Sequence, residues 1–552
     1  MAKRSDQQGK SSTGKLDPAP AGGRIASGSK QAEKARKPAR RGKGERSMAG
    51  MNVVLFVTDQ DRAIQHFPPG WAEKNLPGLT RLQRHGVTFR NAFTNACMCS
   101  PARATMMTGY FPAQHGVRYT LELDMPADQY PQVEMPLDLP NLASVMSSAG
   151  YTVVYKGKWH LNKPRHEKWV PDDVGQYGFT RWNPQDAGAN QDIPEAGGGD
   201  PDNDGRFMHD DGPMELGREG VLAYLRSEAA RQQPFFMVVS LVNPHDVLFY
   251  PKTYQDAGYE DSWLQGDIEL PATVDEDLDT KPTVQKQFRN LFAATGVLDT
   301  PEKKRNYLNF YGNLMKASDA CLVDVLDALE AQGLRDDTVV ICTADHGEMG
   351  MAHGGLRQKN FNFYEESLRV PLVYSNPRLF PERRETGALV SHVDFLPTLA
   401  SLFGAPRSAR ANWEGVDYSA TVLRPDAARP PQRYTVFTWD DWQAGQSSGP
   451  YLPPPNHIVS IREERWKLAK YYDAEGKERP QWEMYDLEND PLERENLAWE
   501  GHRRTLEQEF HYRRLRRRLA RIQKTRLAPL PTTQTATEAG LADVREVVTG
   551  GG

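Results

Sequence analysis

Short apolar runs alternate with longer amphipathic segments along most of the chain. Residues 52–58 and 234–242 are continuous apolar runs of strand length, which is typical of strands covered on both faces. Residues 303–332 have the pattern of a long helix and are followed by Gly333, a common residue just beyond a helix end. Further strands are predicted at 151–155, 338–343, 370–374 and 388–392, and further helices at 76–85, 140–149 and 393–403. This alternation predicts an α/β fold with a large, doubly wound, mostly parallel sheet.

The pattern changes near residue 430. Four short strands at 434–439, 457–462, 466–472 and 482–486 predict a smaller C-terminal antiparallel α+β subdomain. Residues 503–526 carry ten Lys or Arg and an apolar stripe, which predict a final helix with a basic face. The stripe is formed by Leu506, Phe510, Leu515, Leu519 and Ile522. We expect this helix to pack on the body with its basic face solvated; a contact in a homo-oligomer and an acidic membrane surface are the alternatives.

The ends of the chain differ in composition from its body. Residues 1–50 contain thirteen Lys or Arg against four Asp or Glu and almost no large apolar residue, which predicts a disordered basic leader. The leader has no apolar stretch of the kind that a secretory signal needs. The predicted organisation is therefore this leader, an α/β domain at 51–430, the subdomain with its basic helix at 431–526 and a flexible tail at 527–552.

Composition narrows the class of protein and its location. The whole chain of 552 residues carries a net charge of −5 despite its basic leader, so the body is acidic and nucleic acid is not the expected partner. No apolar run approaches the ~20 residues of a membrane span. Four cysteines in this length cannot form a disulfide framework. We expect a cytoplasmic protein with no membrane span.

Polar residues with chemical potential follow the predicted strands. In open α/β sheets, ligands bind beyond the carboxyl ends of the strands. Four predicted strands end in such residues, which are Asp59 with Gln60, Lys158 with His160, His245, and Asp345 with His346. Because these ends meet at one edge of a parallel sheet, the four groups predict a single site.

Two of these groups have the residue types of a metal site. The oxygens of Asp59, Gln60 and Asp345 and the nitrogen of His346 are suitable ligands for one divalent cation. Oxygen ligands favour Ca²⁺, with Mg²⁺ or Mn²⁺ as alternatives, and the imidazole moves the balance toward Mn²⁺ or iron. The competing interpretation is that each Asp only caps a following helix.

The segment from Cys99 to Arg103 is the most informative motif. Ser100-Pro101 is a good helix start, since Pro favours the first helical positions. Cys99 then lies at a helix N-terminus, where backbone N–H groups and the helix dipole favour an anion. Arg103 lies one turn further on the same face. We expect a thiol with a lowered pKa at this position.

These residues carry a resemblance to a known family. Cys99-Ser100-Pro101-Ala102-Arg103 resembles the Cys-x-Pro-x-Arg core of the type I sulfatases, which belong to the alkaline-phosphatase-like superfamily. The likeness covers residues 51–500 in the same order. It is also carried by residues 95–109, Gly157-Lys158-Trp159-His160, Asp345-His346-Gly347-Glu348, His353-Gly354, Lys359, 364–371 and 482–497. The resemblance implies an alkaline-phosphatase-like fold and an enzyme that hydrolyses sulfuric esters.

The family's chemistry implies a modified residue at position 99. Cys99 would be oxidised to formylglycine by a formylglycine-generating enzyme, and the aldehyde would be hydrated to a geminal diol. One diol oxygen attacks the ester sulfur and expels the alcohol; deprotonation of the other oxygen then releases sulfate. Arg103 and Lys158 would steady the diol, and His160 would take the proton that triggers release.

The resemblance also implies roles for the remaining polar residues. His245 and Lys359 would neutralise the sulfate or protonate the leaving oxygen. The cation would orient the diol and a sulfate oxygen, and its ligands would be Asp59, Gln60, Asp345 and His346.

One position departs from the commonest family pattern. Many members have two acidic residues where this chain has Asp59 and Gln60. The resulting ligand set resembles that of phosphonate monoester and phosphodiester hydrolases and of choline-sulfatase-like enzymes. We expect hydrolysis of small organic, aryl sulfate monoesters, because residues 157–160 and His245 look more like those of sulfatases. A phosphodiester or phosphonate monoester hydrolase is the alternative, followed by a non-catalytic anion-binding relative in which Cys99 stays a thiol.

A Gly- and Asp-rich insertion interrupts the domain at 164–213. Its residues 200–211 fit the start of a calcium loop but lack a Glu at the twelfth place. We expect a solvated loop that overhangs the site, with a second cation as the alternative.

Overall fold

The fold is described from a computed structural model. The structure describes residues 48–63, 67–121, 127–128, 132–166, 168–187, 203–442 and 451–530.

A seven-stranded sheet forms the centre of the molecule. Its strands are β1 (Asn52–Asp59), β2 (Gly86–Phe93), β4 (Thr152–Gly157), β5 (Phe235–Pro244), β6 (Thr338–Ala344), β7 (Leu372–Ser375) and β8 (Arg384–Ser391). They lie in the order β4-β5-β1-β6-β7-β2-β8. All neighbours pair in parallel except those of β7, which runs antiparallel to β6 and β2. The predicted mostly parallel α/β sheet is confirmed.

Helices cover both faces of this sheet, as the continuous burial of β5 requires. The longest described helix is α11 (Pro301–Ala331), which starts with Pro301 and is capped by the Thr300 hydroxyl, the acceptor of the Lys303 backbone N–H. The α-helices are α1 (Trp71–Asn75), α2 (Pro77–Arg84), α3 (Cys99–Thr108), α4 (Pro112–His115), α5 (Leu142–Ser148), α6 (Asp172–Gly175), α7 (Asn203–His209), α8 (Val221–Arg226), α9 (Ala229–Gln232), α10 (Thr283–Phe292), α11 (Pro301–Ala331), α12 (Ala352–Gly355), α13 (Glu365–Leu368), α14 (Phe395–Leu402), α15 (Ser419–Leu423) and α16 (Leu506–Lys524).

A second, smaller sheet contains the predicted C-terminal strands. These are β9 (Tyr434–Trp439), β10 (His457–Glu463), β11 (Trp466–Tyr472) and β12 (Gln481–Asp486), which pair antiparallel. A two-residue strand, β3 (Ala96–Cys97), joins the sheet in parallel with β9. Because β3 directly precedes α3, the small sheet holds the segment that leads into the Cys99 motif. The sequence pattern missed β2, whose buried and partly exposed positions are mixed, and β3, which is too short to show a period.

The prediction of an apolar stripe on α16 is confirmed only in part. Leu515, Leu519 and Ile522 are buried against the small sheet. Leu506 and Phe510 are 94% and 62% exposed, so the buried part of the stripe begins only at Leu515. Their inclusion in the buried stripe was wrong, and a subunit contact through this helix stays a prediction.

The predicted leader and tail lie almost entirely outside the described residues. Met48, placed in the leader by the sequence pattern, is buried in the main core. The predicted calcium loop is described only from residue 203. There Asp204 is buried and accepts hydrogen bonds from the backbone N–H groups of Val242 and Asn243, so this aspartate is not part of a solvated loop. Among the described helices, none is both long and apolar enough to cross a bilayer.

Candidate functional site

Cys99 is the first residue of α3 and is buried. Its Sγ lies 3.2 Å from His346 Nε2 and 3.6 Å from Asp59 Oδ1. Asp59 ends β1, and His346 lies two residues beyond the end of β6. The structure thus brings the Cys99 motif to the carboxyl ends of two central strands, which are direct neighbours in the sheet.

Two positively charged side chains, those of Arg103 and Lys158, bind the carboxylates of this site. Arg103 donates from Nη2 to Asp59 at 2.9 Å and from Nε to Asp345 at 3.0 Å, and its Nη1 donates to Ser240 Oγ at 2.7 Å. Lys158 Nζ lies 2.6 Å from Asp59 Oδ2. All of these side chains are buried, so the ion pairs are little screened by solvent. Arg103 therefore connects the two strand ends, one turn into α3.

The two carboxylates have different electrostatic surroundings. Burial opposes ionisation of Asp59, but Lys158 and Arg103 outweigh it and hold the pKa of Asp59 well below its usual value. Burial and the neighbouring Asp59 raise the pKa of Asp345 to about 7. Two carboxylates this close repel each other, and a bound cation would relieve that repulsion.

The orientation of His346 fits a metal ligand. Its Nδ1 lies 3.1 Å from the Gly347 carbonyl oxygen, which can only accept a hydrogen bond, so Nδ1 carries the proton. Nε2 then presents its lone pair toward Cys99 and the carboxylates. Asp59, Cys99, Asp345 and His346 bring donor atoms within 4.8 Å of one another. Two carboxylates and a neutral imidazole are suitable ligands for one divalent cation, so these residues fit the group.

The fourth predicted ligand, Gln60, has other partners in the structure. Its Oε1 accepts a hydrogen bond from Lys359 Nζ at 2.5 Å, and its Nε2 donates to Glu348 Oε2 at 2.5 Å. Its backbone N–H donates to Asp345 Oδ1 at 3.0 Å. Gln60 therefore places Lys359 beside the cluster, and its own role as a ligand stays a prediction.

The expectation of a lowered thiol pKa is wrong. Burial and the negative charge of Asp59 raise the pKa of the Cys99 thiol to about 12. These effects outweigh the helix N-terminus and the nearby cations. An unmodified Cys99 is therefore a poor nucleophile at neutral pH.

His160 is oriented as a proton acceptor. Its Nε2 donates to the Leu121 carbonyl oxygen at 2.8 Å, so Nδ1 carries the lone pair, and this buried Nδ1 has no hydrogen-bond partner. Burial and the charge of Lys158 hold the pKa of His160 well below its usual value. Asp186 fixes the backbone here, because its carboxylate accepts the N–H groups of Trp159 at 2.7 Å and of His160 at 2.7 Å. A neutral imidazole is therefore held rigidly with a free acceptor.

His245 begins a short 3-10 helix, His245–Phe249, directly after β5. Its Nδ1 is buried without a hydrogen-bond partner. Burial and the charge of Lys158, with a smaller contribution from Lys359, hold the pKa of His245 well below its usual value. The charges of Lys158, Asp59 and Lys359 thus act on His245, and its role in the reaction stays a prediction.

Sequence reasoning gave no role to three supporting residues. Glu348 accepts hydrogen bonds from Gln60, Tyr307 and two backbone N–H groups, and so fixes the loop after His346. Asp186 orients His160, and Ser240 contacts Arg103. Glu348 lies in the Asp345 motif, but nothing in the sequence distinguishes Asp186 from the other acidic residues of its insertion.

The fold and this cluster define an α/β protein with buried carboxylates beside a helix N-terminus at the carboxyl ends of its central strands. The family model described as Sulfatase matches residues 52–405, and a model described as N-sulphoglucosamine sulphohydrolase, C-terminal, matches residues 353–523. The chain belongs to the sulfatase family and is a sulfate ester hydrolase.

Individual relatives are similar over most of their length. A Delta 4,5-hexuronate-2-O-sulfatase of Bacteroides thetaiotaomicron is 27% identical over 432 residues, which cover 76% of this chain and 79% of that protein. The solved structure of a 2-O GAG sulfatase has a TM-score of 0.65 at 22% identity and covers 86% and 92% of the two chains. A phosphonate monoester hydrolase from Silicibacter pomeroyi has a TM-score of 0.58 at 20% identity and covers 86% and 95%. The two solved structures are similar to this chain in fold.

Proposed function

We propose that this sulfatase hydrolyses organic sulfate monoesters with a formylglycine derived from Cys99 and one divalent cation. The observation that carries the proposal is the position of Cys99 at the start of α3, with its Sγ 3.2 Å from His346 Nε2 and 3.6 Å from Asp59 Oδ1. A nucleophile at this position faces both a set of candidate metal ligands and several positively charged side chains. Conversion of Cys99 requires a formylglycine-generating enzyme as a partner during maturation.

When present, the formylglycine hydrate would supply the nucleophile. The cation would stabilise charge on the ester oxygens; Ca²⁺ is preferred, with Mn²⁺ or Mg²⁺ as alternatives. Asp59, Asp345 and His346 would hold that cation, with Gln60 as a further ligand. The protein's own residues do the remaining work.

Positive charge binds the anionic ester in this proposal. Arg103, Lys158 and Lys359 bring three cations to a cluster whose two ligand carboxylates are Asp59 and Asp345. The excess of positive charge, increased further by a divalent cation, favours a sulfate group in a buried site. His245 and Lys359 would face the sulfate or protonate the leaving oxygen.

Proton transfer is assigned to His160. Its unpartnered Nδ1 can take a proton, while the hydrogen bond from Nε2 to Leu121 keeps the ring in one orientation. The lowered pKa of His160 keeps the imidazole neutral before the reaction, so its Nδ1 is unprotonated at neutral pH.

The alcohol half of the substrate is proposed to be a ring. Tyr119 and Trp442 form an edge-to-face pair with centroids 6.0 Å apart, and Tyr119 lies two residues from Leu121, the partner of His160. Such a pair can pack against an aryl group, as expected from the sequence, or against the apolar face of a sugar. Relatives named for hexuronate-2-O-sulfate and for GAG make a sulfated sugar the second candidate.

A phosphate diester or phosphonate monoester is the competing substrate class. Because Gln60 is neutral, the site has one ligand carboxylate fewer than it would have with an acidic residue at position 60. Sulfate monoesters, phosphate diesters and phosphonate monoesters all carry a single negative charge. A site that accepts one can therefore accept the others.

The test compares nitrophenyl sulfate, a sulfated monosaccharide and bis-nitrophenyl phosphate on the matured enzyme, with intact mass measured on the same sample. We expect the mass to fall by about 18 Da at position 99 and kcat/KM to be highest for a sulfate ester. A converted protein with its highest kcat/KM for the phosphate diester would overturn the substrate class. Full sulfatase activity in protein whose mass shows only unmodified Cys99 would overturn the mechanism.

A further inference from the structure

A second group of buried side chains has the donor atoms of a metal site. Among the described residues, His353, Glu366 and Glu493 bring one imidazole nitrogen and two carboxylate oxygens within 4.8 Å of one another. None of the three has a role in the reaction proposed above. Three ligands of which one is a nitrogen favour Zn²⁺ or Mn²⁺ over Ca²⁺, which takes about six to eight oxygens; the proposed ligand set at the first site adds the Gln60 oxygen to its two carboxylates.

The protein orients His353 as metal-ligating histidines are oriented. His353 is fully buried, and its Nδ1 lies 2.8 Å from Glu276 Oε2, so Nδ1 carries the proton. The charge of Glu276 is balanced by Lys281, whose Nζ lies 3.1 Å from Oε1. The imidazole is stacked on Tyr364 with ring centroids 3.6 Å apart. Nε2 therefore presents a lone pair, and it has no hydrogen-bond partner.

Glu366 faces this lone pair at a distance that suits a bridging ion. Glu366 Oε2 is buried without a hydrogen-bond partner and lies 3.8 Å from His353 Nε2. This separation is too long for a hydrogen bond. It is shorter than two metal–ligand bonds of about 2.0–2.1 Å end to end, so one ion can contact both atoms.

Glu493 completes the group from the small sheet's side of the molecule. Its Oε2 accepts the backbone N–H of Glu365 at 2.9 Å, and Lys467 Nζ lies 2.7 Å from its Oε1. These contacts fix the carboxylate, and each oxygen keeps a further lone pair for an ion. Glu493 follows β12, whereas His353 and Glu366 lie between β6 and β7.

We propose that His353, Glu366 and Glu493 bind a Zn²⁺ or Mn²⁺ ion that ties the segment after β6 to the segment after β12. The ion is structural, because the group has no nucleophile. The backbone at Glu366 contacts the loop after His346 independently of the ion, since the Glu366 carbonyl oxygen accepts the N–H of Glu348 at 3.0 Å.

The first test counts bound zinc on the full chain. Chelator-treated protein is titrated with ZnCl₂ by calorimetry, and Glu366→Gln is compared with the unsubstituted chain and with Glu464→Gln, a change at an exposed glutamate. We expect Glu366→Gln to bind one equivalent of zinc fewer and to lose the zinc-dependent rise in melting temperature, while Glu464→Gln behaves as the unsubstituted chain does. Equal stoichiometry in all three proteins would overturn the proposal.

The second test needs no substitution and decides the matter even where Glu366→Gln fails to fold. Crystals of the unsubstituted protein soaked in ZnCl₂ are measured at the zinc edge. We expect an anomalous peak between His353 Nε2 and Glu366 Oε2. Density showing these side chains with no peak between them, as a network of ion pairs alone, would contradict the site.

Discussion

The clusters around His346 and His353 contain similar side chains but differ in their proposed functions. Each contains a buried histidine whose Nδ1 donates to an oxygen and whose Nε2 faces two carboxylates. Only the His346 cluster adds a helix N-terminus, Cys99 and the unpartnered acceptor of His160. The ligand set alone therefore does not define a catalytic site; a nucleophile position and a free proton acceptor do.

Of the substitutions that distinguish the two clusters, removal of the nucleophile should have the largest effect on the rate of hydrolysis. Cys99→Ala should lower sulfate ester hydrolysis by about 10⁴-fold or more, because it removes the proposed nucleophile. The melting temperature should change little, since a small buried side chain is replaced by another. Initial rates with nitrophenyl sulfate check this, and Cys321→Ala on α11 is the matched control, expected to keep its rate within about twofold. A Cys99→Ala protein with a near-normal rate would refute the proposed nucleophile.

The elements that the sequence predicted best are those set by local periodicity. β9 and β11 were predicted with their observed bounds, and the long helix α11 with a small shift of both ends. The direction of β7 was not predictable, because it is decided by which neighbours it pairs with and not by its own pattern.

The site shows the same division between local and long-range information. Strand-end positions indicated Asp59 and Asp345 because a parallel sheet brings such ends together. The raised pKa of Cys99 depends on burial and on a carboxylate 40 positions earlier in the chain, which helix geometry does not reveal. Likewise, Glu493 meets His353 only after the small sheet has packed.

Substitution of one carboxylate in each cluster compares the two directly. Asp345→Asn should lower kcat/KM on the order of 10²–10³-fold, because it removes a metal ligand and one partner of Arg103. Glu366→Gln should leave kcat within about twofold per folded molecule and lower the melting temperature in the presence of zinc. Steady-state kinetics and thermal unfolding of both variants provide the measurement. Equal losses of kcat in the two would remove the distinction between a catalytic and a structural cluster.

Two of the histidines with unpartnered ring nitrogens, His160 and His353, can be distinguished by replacing the imidazole. His160→Asn should lower kcat about 10²-fold, since it removes the base while keeping a side chain that can contact the Leu121 carbonyl. His353→Asn should affect zinc binding and not the chemical step. Single-turnover rates distinguish the two, and an unchanged rate for His160→Asn would transfer the proton-acceptor role to another residue such as His245.

The smallest expected effect concerns the outer carboxylates that orient each histidine. The Asp186 carboxylate accepts hydrogen bonds from three backbone N–H groups, including that of His160. Asp186→Asn keeps only one accepting oxygen, so whichever way the amide is turned, at least one of these N–H groups loses its acceptor. We expect kcat to fall about tenfold, because the position of His160 loosens while the group itself remains. Glu276→Gln, its counterpart beside His353, should leave kcat unchanged and weaken zinc binding. If Asp186→Asn lowers only the melting temperature and not kcat, Asp186 supports the fold without positioning His160.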